Sequence, residues 1–381
     1  MRRKSTAKPE TKKSAGCLYE TVAVLGVGLI GGSLALSFKR SGLVGRVLGV
    51  SRPQTIEKAL EAGVIDKGFS RDETEQAVQD ADLVILSTPV KVIISQLARI
   101  SSALKHGATV TDAGSTKRAI VQAALENLPS SVHFVGGHPM AGAESTGVES
   151  ADPFLFQNAM YVICPARETD REAAQKYSKL VTAVGARVLI MSPERHDRIA
   201  ASISHLPQIV AVGLMNLAAD CNEKDPNTLR LAAGGFRDLT RIASSPFEIW
   251  RDICATNADQ IKELISGLIK NLEQLRDLAG TEELASSFER AARSRALIQK
   301  DAKGFLSPVF QVVVTAPDEV GVIKSMAVGL ADQSINIKDI EVLKVREGEG
   351  GTIMLGFATP EDRARAVAIL KDLGFPTKIR E

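Results

Sequence analysis

Residues able to do chemistry gather in a few short stretches of this 381-residue chain. Gly26, Gly28 and Gly31 stand in G-x-G-x-x-G spacing, with Gly32 directly behind. In such a pattern the first glycine allows a tight turn and the second lets a pyrophosphate approach the backbone. The third lets helix and strand pack closely. The free N–H groups of the following helix turn, at Leu29 and Ile30, would face phosphate oxygens. His138 stands in G-G-H-P-M-A-G, just past a strand-like run. A histidine there can take a proton from an alcohol while hydride leaves the substrate. A loop-stabilising histidine would fit the position equally well. Arg241, in G-G-F-R-D-L-T-R-I-A, suits a carboxylate, because guanidinium offers two parallel hydrogen bonds. A helix-cap salt bridge is its structural alternative. His196 (S-P-E-R-H-D) and His205 (S-H-L-P-Q) add two more rings, whereas His106 and His133 lie before or within strands and read as structural. Trp250, the only tryptophan, reads as a packing residue.

These residues need elements to hold them. Residues 22–25 form an apolar, β-branched run typical of a buried parallel strand, 29–38 has helical apolar spacing, and 47–50 reads as a second strand. Strand, glycine turn, helix, strand is the context in which the glycine spacing becomes specific. Alternation continues through a helix at 54–61, strands at 83–87 and 108–111, helices at 90–104 and 117–125, and strands at 132–135, 159–164 and 187–190. A helix at 171–184 separates the last two. The pattern predicts a Rossmann-like, doubly wound α/β sheet over 21–190. Ligands in such sheets sit beyond the carboxyl ends of the strands. Thr88-Pro89, Asp112 to Lys117 and His138 to Glu144 all fall there.

From 191 to 303 strand signals vanish and helical spacing takes over at 196–217, 227–231, 246–279 and 284–300, predicting an all-α domain. The glycines at 234–235 predict a turn exposing polar groups. Over 308–381 the order is β-α-β-β-α with a last short strand at 376–379, a ferredoxin-like βαββαβ module.

Composition is that of an ordinary soluble globular protein, with 44% hydrophobic and 24% charged residues. The net charge of +2 is uneven, since residues 1–16 hold six basic side chains against Glu10. That leaves the rest mildly acidic. Residues 1–20 therefore read as a disordered basic tail and not a nucleic-acid arm. No apolar run reads as long enough to span a bilayer, so no membrane partner is expected. Cys17, Cys164, Cys221 and Cys254 are widely spaced, form no metal-ligand pattern and read as reduced thiols in a cytoplasmic protein.

Taken together, G-S-T-K at 114–117, H-P-M-A-G at 138–142 followed by Glu144, S-P-E-R-H-D at 192–197, S-H-L-P at 204–207, F-R-D-L-T-R-I-A at 236–243 and W-R-D-I at 250–253 resemble the prephenate/arogenate dehydrogenases of tyrosine biosynthesis. The resemblance covers roughly residues 20–280. The C-terminal module resembles an ACT domain, with P-D-E-V-G-V-I at 317–323 as its strand–helix turn.

The resemblance implies an oxidoreductase that converts prephenate to 4-hydroxyphenylpyruvate with loss of carbon dioxide and hydride transfer to NAD(P). His138 would deprotonate the ring hydroxyl and Ser115 would orient His138. Arg241 would hold a substrate carboxylate, while His196, His205, Glu144 and Gln208 would line the pocket. Gly26, Gly28, Leu29, Ile30, Gly31, Ser51, Arg52, Thr88, Pro89 and Asp112 would meet the cofactor. It also implies a homodimer through the helical domain and tyrosine or another amino acid as an effector of the ACT module.

Two departures bear on specificity. Many family members carry a second histidine where Gln208 stands, which leaves prephenate against arogenate open. The second strand ends at Ser51-Arg52 with no carboxylate for a ribose 2′-hydroxyl, which suits the 2′-phosphate of NADP while leaving NAD open. The competing readings are an imine or β-hydroxyacid reductase, which would lack the H-P-M-A-G and T-R-I-A pair, and a non-catalytic dinucleotide-binding ACT sensor.

Overall fold

The computed structural model describes residues 16–142, 145–298, 309–346 and 350–380. The chain divides into two compact units at Leu297. The first begins with β1 (Tyr19–Leu25), α1 (Leu29–Ser41), β2 (Val44–Val50), α2 (Pro53–Glu61), β3 (Lys67–Phe69), α3 (Thr74–Val78), β4 (Leu83–Leu86) and α4 (Val90–Ile100). It continues with β5 (Thr109–Asp112), α5 (Arg118–Asn127), β6 (His133–Pro139), β7 (Met160–Pro165), α6 (Arg171–Ala183) and β8 (Arg187–Ile190). The eight strands lie in the order β3-β2-β1-β4-β5-β6-β7-β8. Successive side chains of β1 feed opposite faces. Val22 and Val24 join the core that holds Leu34 and Phe38 of α1, while Ala23 and Leu25 join the core against α4. This two-sided burial is why the strands read as continuous apolar runs.

The sheet is not wholly parallel. β7 runs antiparallel to β6, and β8 then runs parallel to β7. No crossover helix lies between β6 and β7 among the described residues, so the chain simply returns, whereas α6 supplies the crossover to β8. Pairing with β7 also lengthens β6 beyond its partner β5. His138 faces Val162 and Pro139 faces Tyr161 across the ladder. His138 is therefore a strand residue, not a loop residue. β3 and α3 were not expected from sequence, because three- and five-residue elements carry too little periodicity. The expected tail at 1–20 is shortened, since β1 starts at Tyr19 and Leu18 bonds back to the Leu43 carbonyl. Residues 1–15 lie outside the described residues.

Helices follow. α7 (Pro193–Ala200) opens on Ser192, whose hydroxyl caps the N–H of Arg195, with proline next. A π-helical turn (Ala201–His205) then leads into α8 (Leu206–Lys224). Pro207 has no N–H and its ring opposes the carbonyl four residues back, which explains the irregular turn where the sequence predicts one uniform helix. The whole run 193–224 is long and apolar enough, by length and composition alone, to cross a membrane, contrary to expectation. It nevertheless buries His196, Asp197, His205 and Gln208 within the unit.

The glycine-bearing segment is not an open turn but α9 (Gly234–Thr240) followed by a 3₁₀ turn at Arg241–Ser244. The helix expected over 246–279 is two, α10 (Phe247–Thr256) and α11 (Ala258–Leu278), parted at the buried Asn257. That expected at 227–231 is only a 3₁₀ turn at Leu229–Leu231. α12 (Leu284–Ala296) ends the unit.

The second unit holds β9 (Phe310–Ala316), α13 (Val322–Ala331), β10 (Asp339–Arg346), β11 (Gly350–Phe357), α14 (Pro360–Asp372) and β12 (Thr377–Arg380). Its antiparallel sheet has the order β10-β11-β9-β12, and Val312, Val314, Leu330, Leu355, Phe357 and Leu370 fill its core. This is the expected βαββαβ connectivity. Gly321, at φ +94°, makes the left-handed turn into α13.

Candidate active site

The glycine turn is built as its spacing demands. A Cβ on Gly26 would lie 2.4 Å from the Ser87 carbonyl and 2.7 Å from Thr88 Cγ2, and one on Gly31 would lie 2.1 Å from the Gly26 carbonyl. Around Gly28 nothing lies within 4 Å of that position, so the space above it is open. The first turn of α1, at Leu29 and Ile30, has no side-chain cap and no acidic residue. Orphan N–H groups at a positive helix end facing open space fit a dinucleotide pyrophosphate. At the end of β2, Ser51 is half-buried and Arg52 is exposed at the N-terminus of α2. Thr88 donates its hydroxyl hydrogen to Gln96 Oε1 at 2.8 Å and Pro89 caps α4. The N–H of Lys91, in the first turn of α4, is bonded at 3.0 Å by Asp252 of α10. This contact ties the cofactor side of the sheet to the helical layer.

Asp112 differs from the rest of the expected cofactor set. Its carboxylate is fully buried, accepts the N–H groups of Gly114 (2.8 Å) and Gly137 (3.1 Å), and pairs with the buried Lys117 ammonium. Lys117 Nζ also donates to the Gly137 carbonyl at 2.6 Å. With these partners Asp112 serves to lock β5, β6 and the G-S-T-K loop together beneath His138. A buried charge is tolerable only when matched in this way.

His138, half-buried, meets His196 across 2.8 Å between its Nδ1 and His196 Nε2, with the rings edge to face. His196 Nδ1 lies 2.8 Å from Asp197 Oδ1. Asp197 also accepts the backbone N–H groups of Lys117 (2.7 Å) and Arg118 (3.0 Å), so it caps the N-terminus of α5. Asn257 closes the cluster. Its Nδ2 donates to the Asp197 carbonyl at 2.8 Å and faces His205 Nδ1 at 3.3 Å, while its Oδ1 accepts from Arg118. His205 and Trp250 meet edge to face at 6.1 Å.

His196 and His205 are nine residues apart, which on a straight α-helix would put them on roughly opposite sides. The intervening π turn, with more residues per turn, swings His205 back towards Asn257 and the Asp197 carbonyl. Burial, with His196, Lys117 and His205 nearby, holds His138 well below the ordinary histidine range. Burial likewise brings His205 down to about 4, with Asp197 opposing and His196 adding to the shift.

The other expected residues are arranged less tightly. Ser115 is half-buried and makes no hydrogen bond to His138 among the described residues; the partner on His138 Nδ1 is His196. Gln208 is buried and its amide donates to the Ile242 carbonyl at 2.9 Å, one residue beyond the exposed Arg241. Glu144 lies outside the described residues. Asp197, Lys117 and Asn257 join this cluster without having been expected as site residues. For Asp197 the available signal was its place beside His196 in the first turns of a helix.

An open helix end for phosphates and a neutral histidine at the strand ends define a dinucleotide-dependent oxidoreductase. Residues 34–190 match the family model described as prephenate dehydrogenase, nucleotide-binding domain, and residues 192–290 match the one described as prephenate dehydrogenase, dimerization domain. The chain is 37% identical to prephenate dehydrogenase of Bacillus subtilis over 92% of its own length and 95% of that protein. It is 29% identical to cyclohexadienyl dehydrogenase of Zymomonas mobilis, over 74% of this chain and 98% of the other.

Among solved structures, prephenate dehydrogenase from Aquifex aeolicus in complex with hydroxyphenyl propionate and NAD+ superposes with a TM-score of 0.69 at 34% identity, over 76% of this chain and all of that one. Arogenate dehydrogenase from Synechocystis gives 0.65 at 31%, over 72% and 99%. The chain belongs to the prephenate dehydrogenase family.

Proposed function

We propose that this chain oxidises prephenate to 4-hydroxyphenylpyruvate and carbon dioxide in tyrosine biosynthesis. The observation that carries the reading is His138, half-buried and paired with His196 at the carboxyl ends of the strands in a chain of this family. The nicotinamide, when bound, supplies the hydride acceptor. Gly26, Gly28, Gly31 and the N–H groups of Leu29 and Ile30 hold its pyrophosphate, with Thr88 and Pro89 alongside. His138 takes the ring hydroxyl proton as hydride leaves the carbinol carbon. Breaking the ring–carboxylate bond returns an electron pair to the ring, carbon dioxide departs and the phenolic oxygen recovers a proton. Aromatisation drives the step, so these side chains supply position and charge placement.

Arg241 takes a substrate carboxylate, and Gln208 steadies the Arg241 turn through the Ile242 carbonyl. Ser115, His205 and Glu144 complete the pocket. Ser51 and Arg52 favour NADP over NAD, because they offer a hydroxyl and a guanidinium where a carboxylate would select NAD. Arogenate is the second substrate reading, favoured by the likeness to the Synechocystis enzyme. The exposed apolar helical face supports a homodimer, and the four free cysteines support a cytoplasmic setting. The second unit reads as an ACT module that binds tyrosine. Support comes from its βαββαβ order and a cavity of about 460 Å³ beside Gly321, lined by Pro317, Asp318, Lys324 and Ile353.

The test is a four-way assay of prephenate or arogenate with NAD or NADP, following reduced nicotinamide. Turnover of prephenate, faster with NADP, is the expected outcome. No turnover of either substrate, with cofactor bound, would overturn the catalytic reading. Repeating the assay with tyrosine on the full chain and on a chain lacking residues 308–381 checks the module, whose removal should abolish inhibition.

A further inference from the structure

The base needs more than a histidine: one ring nitrogen must be bare and must face the substrate. Three side chains on two elements fix which nitrogen that is. Asp197 is fully buried and bound by four donors: the backbone N–H groups of Lys117 and Arg118 at the head of α5, the Arg118 guanidinium at 3.4 Å, and the His196 ring. Burial alone would raise its carboxyl. The hydrogen bonds from His196, Arg118 and Lys117 outweigh that and hold it below the usual carboxylate range. An ionised carboxylate can only accept, so His196 carries its proton on Nδ1. With that one proton on Nδ1, the His196 Nε2 that meets His138 at 2.8 Å is bare. Two bare nitrogens cannot form that contact, so His138 Nδ1 must be the donor. The neutral His138 ring is thereby left with a bare Nε2.

We propose that Asp197 is a positioning residue which, acting through His196, fixes the tautomer of His138 and so makes His138 Nε2 the proton acceptor. The inference rests on His138 being the base. The role also explains why an Asp should follow the histidine directly within α7. One carboxylate there both caps α5, in the G-S-T-K segment, and sets the ring pair. When His138 gains its second proton, the Nδ1–H bond to His196 persists and the Asp197 charge lies two rings away. The other titratable groups acting on His138 are Lys117 from the β5–α5 side, itself paired with Asp112, and His205 from the π turn. None of them bonds His138 Nδ1.

Two measurements test this. The first reads the wild-type protein directly. With five histidines in the chain, selective ¹⁵N labelling resolves the tautomer of each ring. His138 and His196 are expected as Nδ1–H tautomers; a proton on His138 Nε2 overturns the proposal. The second is a double-mutant cycle. Asp197→Asn keeps the shape but puts an amide N–H₂ against either the α5 donors or His196, so the ring pair loses its fixed order. Turnover (kcat) should drop by about 100-fold or more, with KM and cofactor affinity within about threefold of wild type.

In a His196→Gln background, where no ring transmits the tautomer, adding Asp197→Asn should cost little further. An equal loss in both backgrounds would show that Asp197 only caps α5, and would overturn the proposal. Wild-type turnover is measured alongside. Turnover with the reversed tautomer sinks this inference alone, whereas the assigned tautomer without turnover sinks the functional reading.

Discussion

His138, the proposed base, lies in an environment that sets the pH at which it could act. Its ring is desolvated and lies near His196, Lys117 and His205, all of which oppose a positive charge there. The lowered pKa means that the free base already dominates at neutral pH. A base must be unprotonated, so kcat/KM should rise with pH through that lowered pKa and stay flat from about pH 6.5 upward. The acid limb should have its midpoint below the ordinary histidine value. A midpoint at or above about 6.5 would mean that the site is wetter than its packing indicates. At this scale the sequence was informative about identity and silent about partnership. G-G-H-P-M-A-G singled out His138, but its partner lies 58 residues away on another element. The expectation that Ser115 would orient it could not be checked by spacing. The partnership of Asp112 is hidden for a related reason. A carboxylate at a strand end looks available until the buried Lys117 beside it is seen.

Elements explain why the glycines are not interchangeable. Gly28 has an ordinary φ of −101° and open space where a Cβ would stand, so Gly28→Ala should leave the melting temperature unchanged. The same Cβ would occupy the path of the pyrophosphate, and cofactor affinity should fall at least about tenfold. Gly31→Ala is different, because its Cβ would meet the Gly26 carbonyl at 2.1 Å and backbone cannot yield. It should lower stability by about 1–3 kcal/mol and weaken cofactor binding with it. Thermal melts and cofactor titrations on the two variants separate the effects. Should Gly28→Ala bind normally, the pyrophosphate does not cross Gly28.

Most elements of the first unit were legible, because long amphipathic helices and buried strands carry strong periodicity. What was not legible depends on tertiary pairing. The antiparallel β7 lengthens β6, and the π turn before Pro207 redirects His205. Neither leaves a local period to read.

At the scale of the molecule, the helical layer of the first unit presents an apolar outer surface. Ile203, Leu217, Leu231, Leu239, Phe247 and Leu272 are each more than half exposed, on several elements of one layer. Scattered single apolar residues need no explanation, but a layer of them marks an interaction surface. The 192–290 segment matches a model described as a dimerization domain, so a second copy is the cover to test. Ile203 and Leu217 of that surface belong to the 193–224 run, which is of membrane-like length and composition.

Leu217→Asp combined with Leu272→Asp should therefore split a dimer into monomers by solution mass. Because both side chains are exposed within one chain, the monomer itself should melt nearly as before. Activity should fall with the mass, since His205 and the Arg241 turn sit in the same layer and lose their support when it is wetted. If the double variant stays dimeric, the two copies meet through another surface, and the apolar helical face must answer to a different partner.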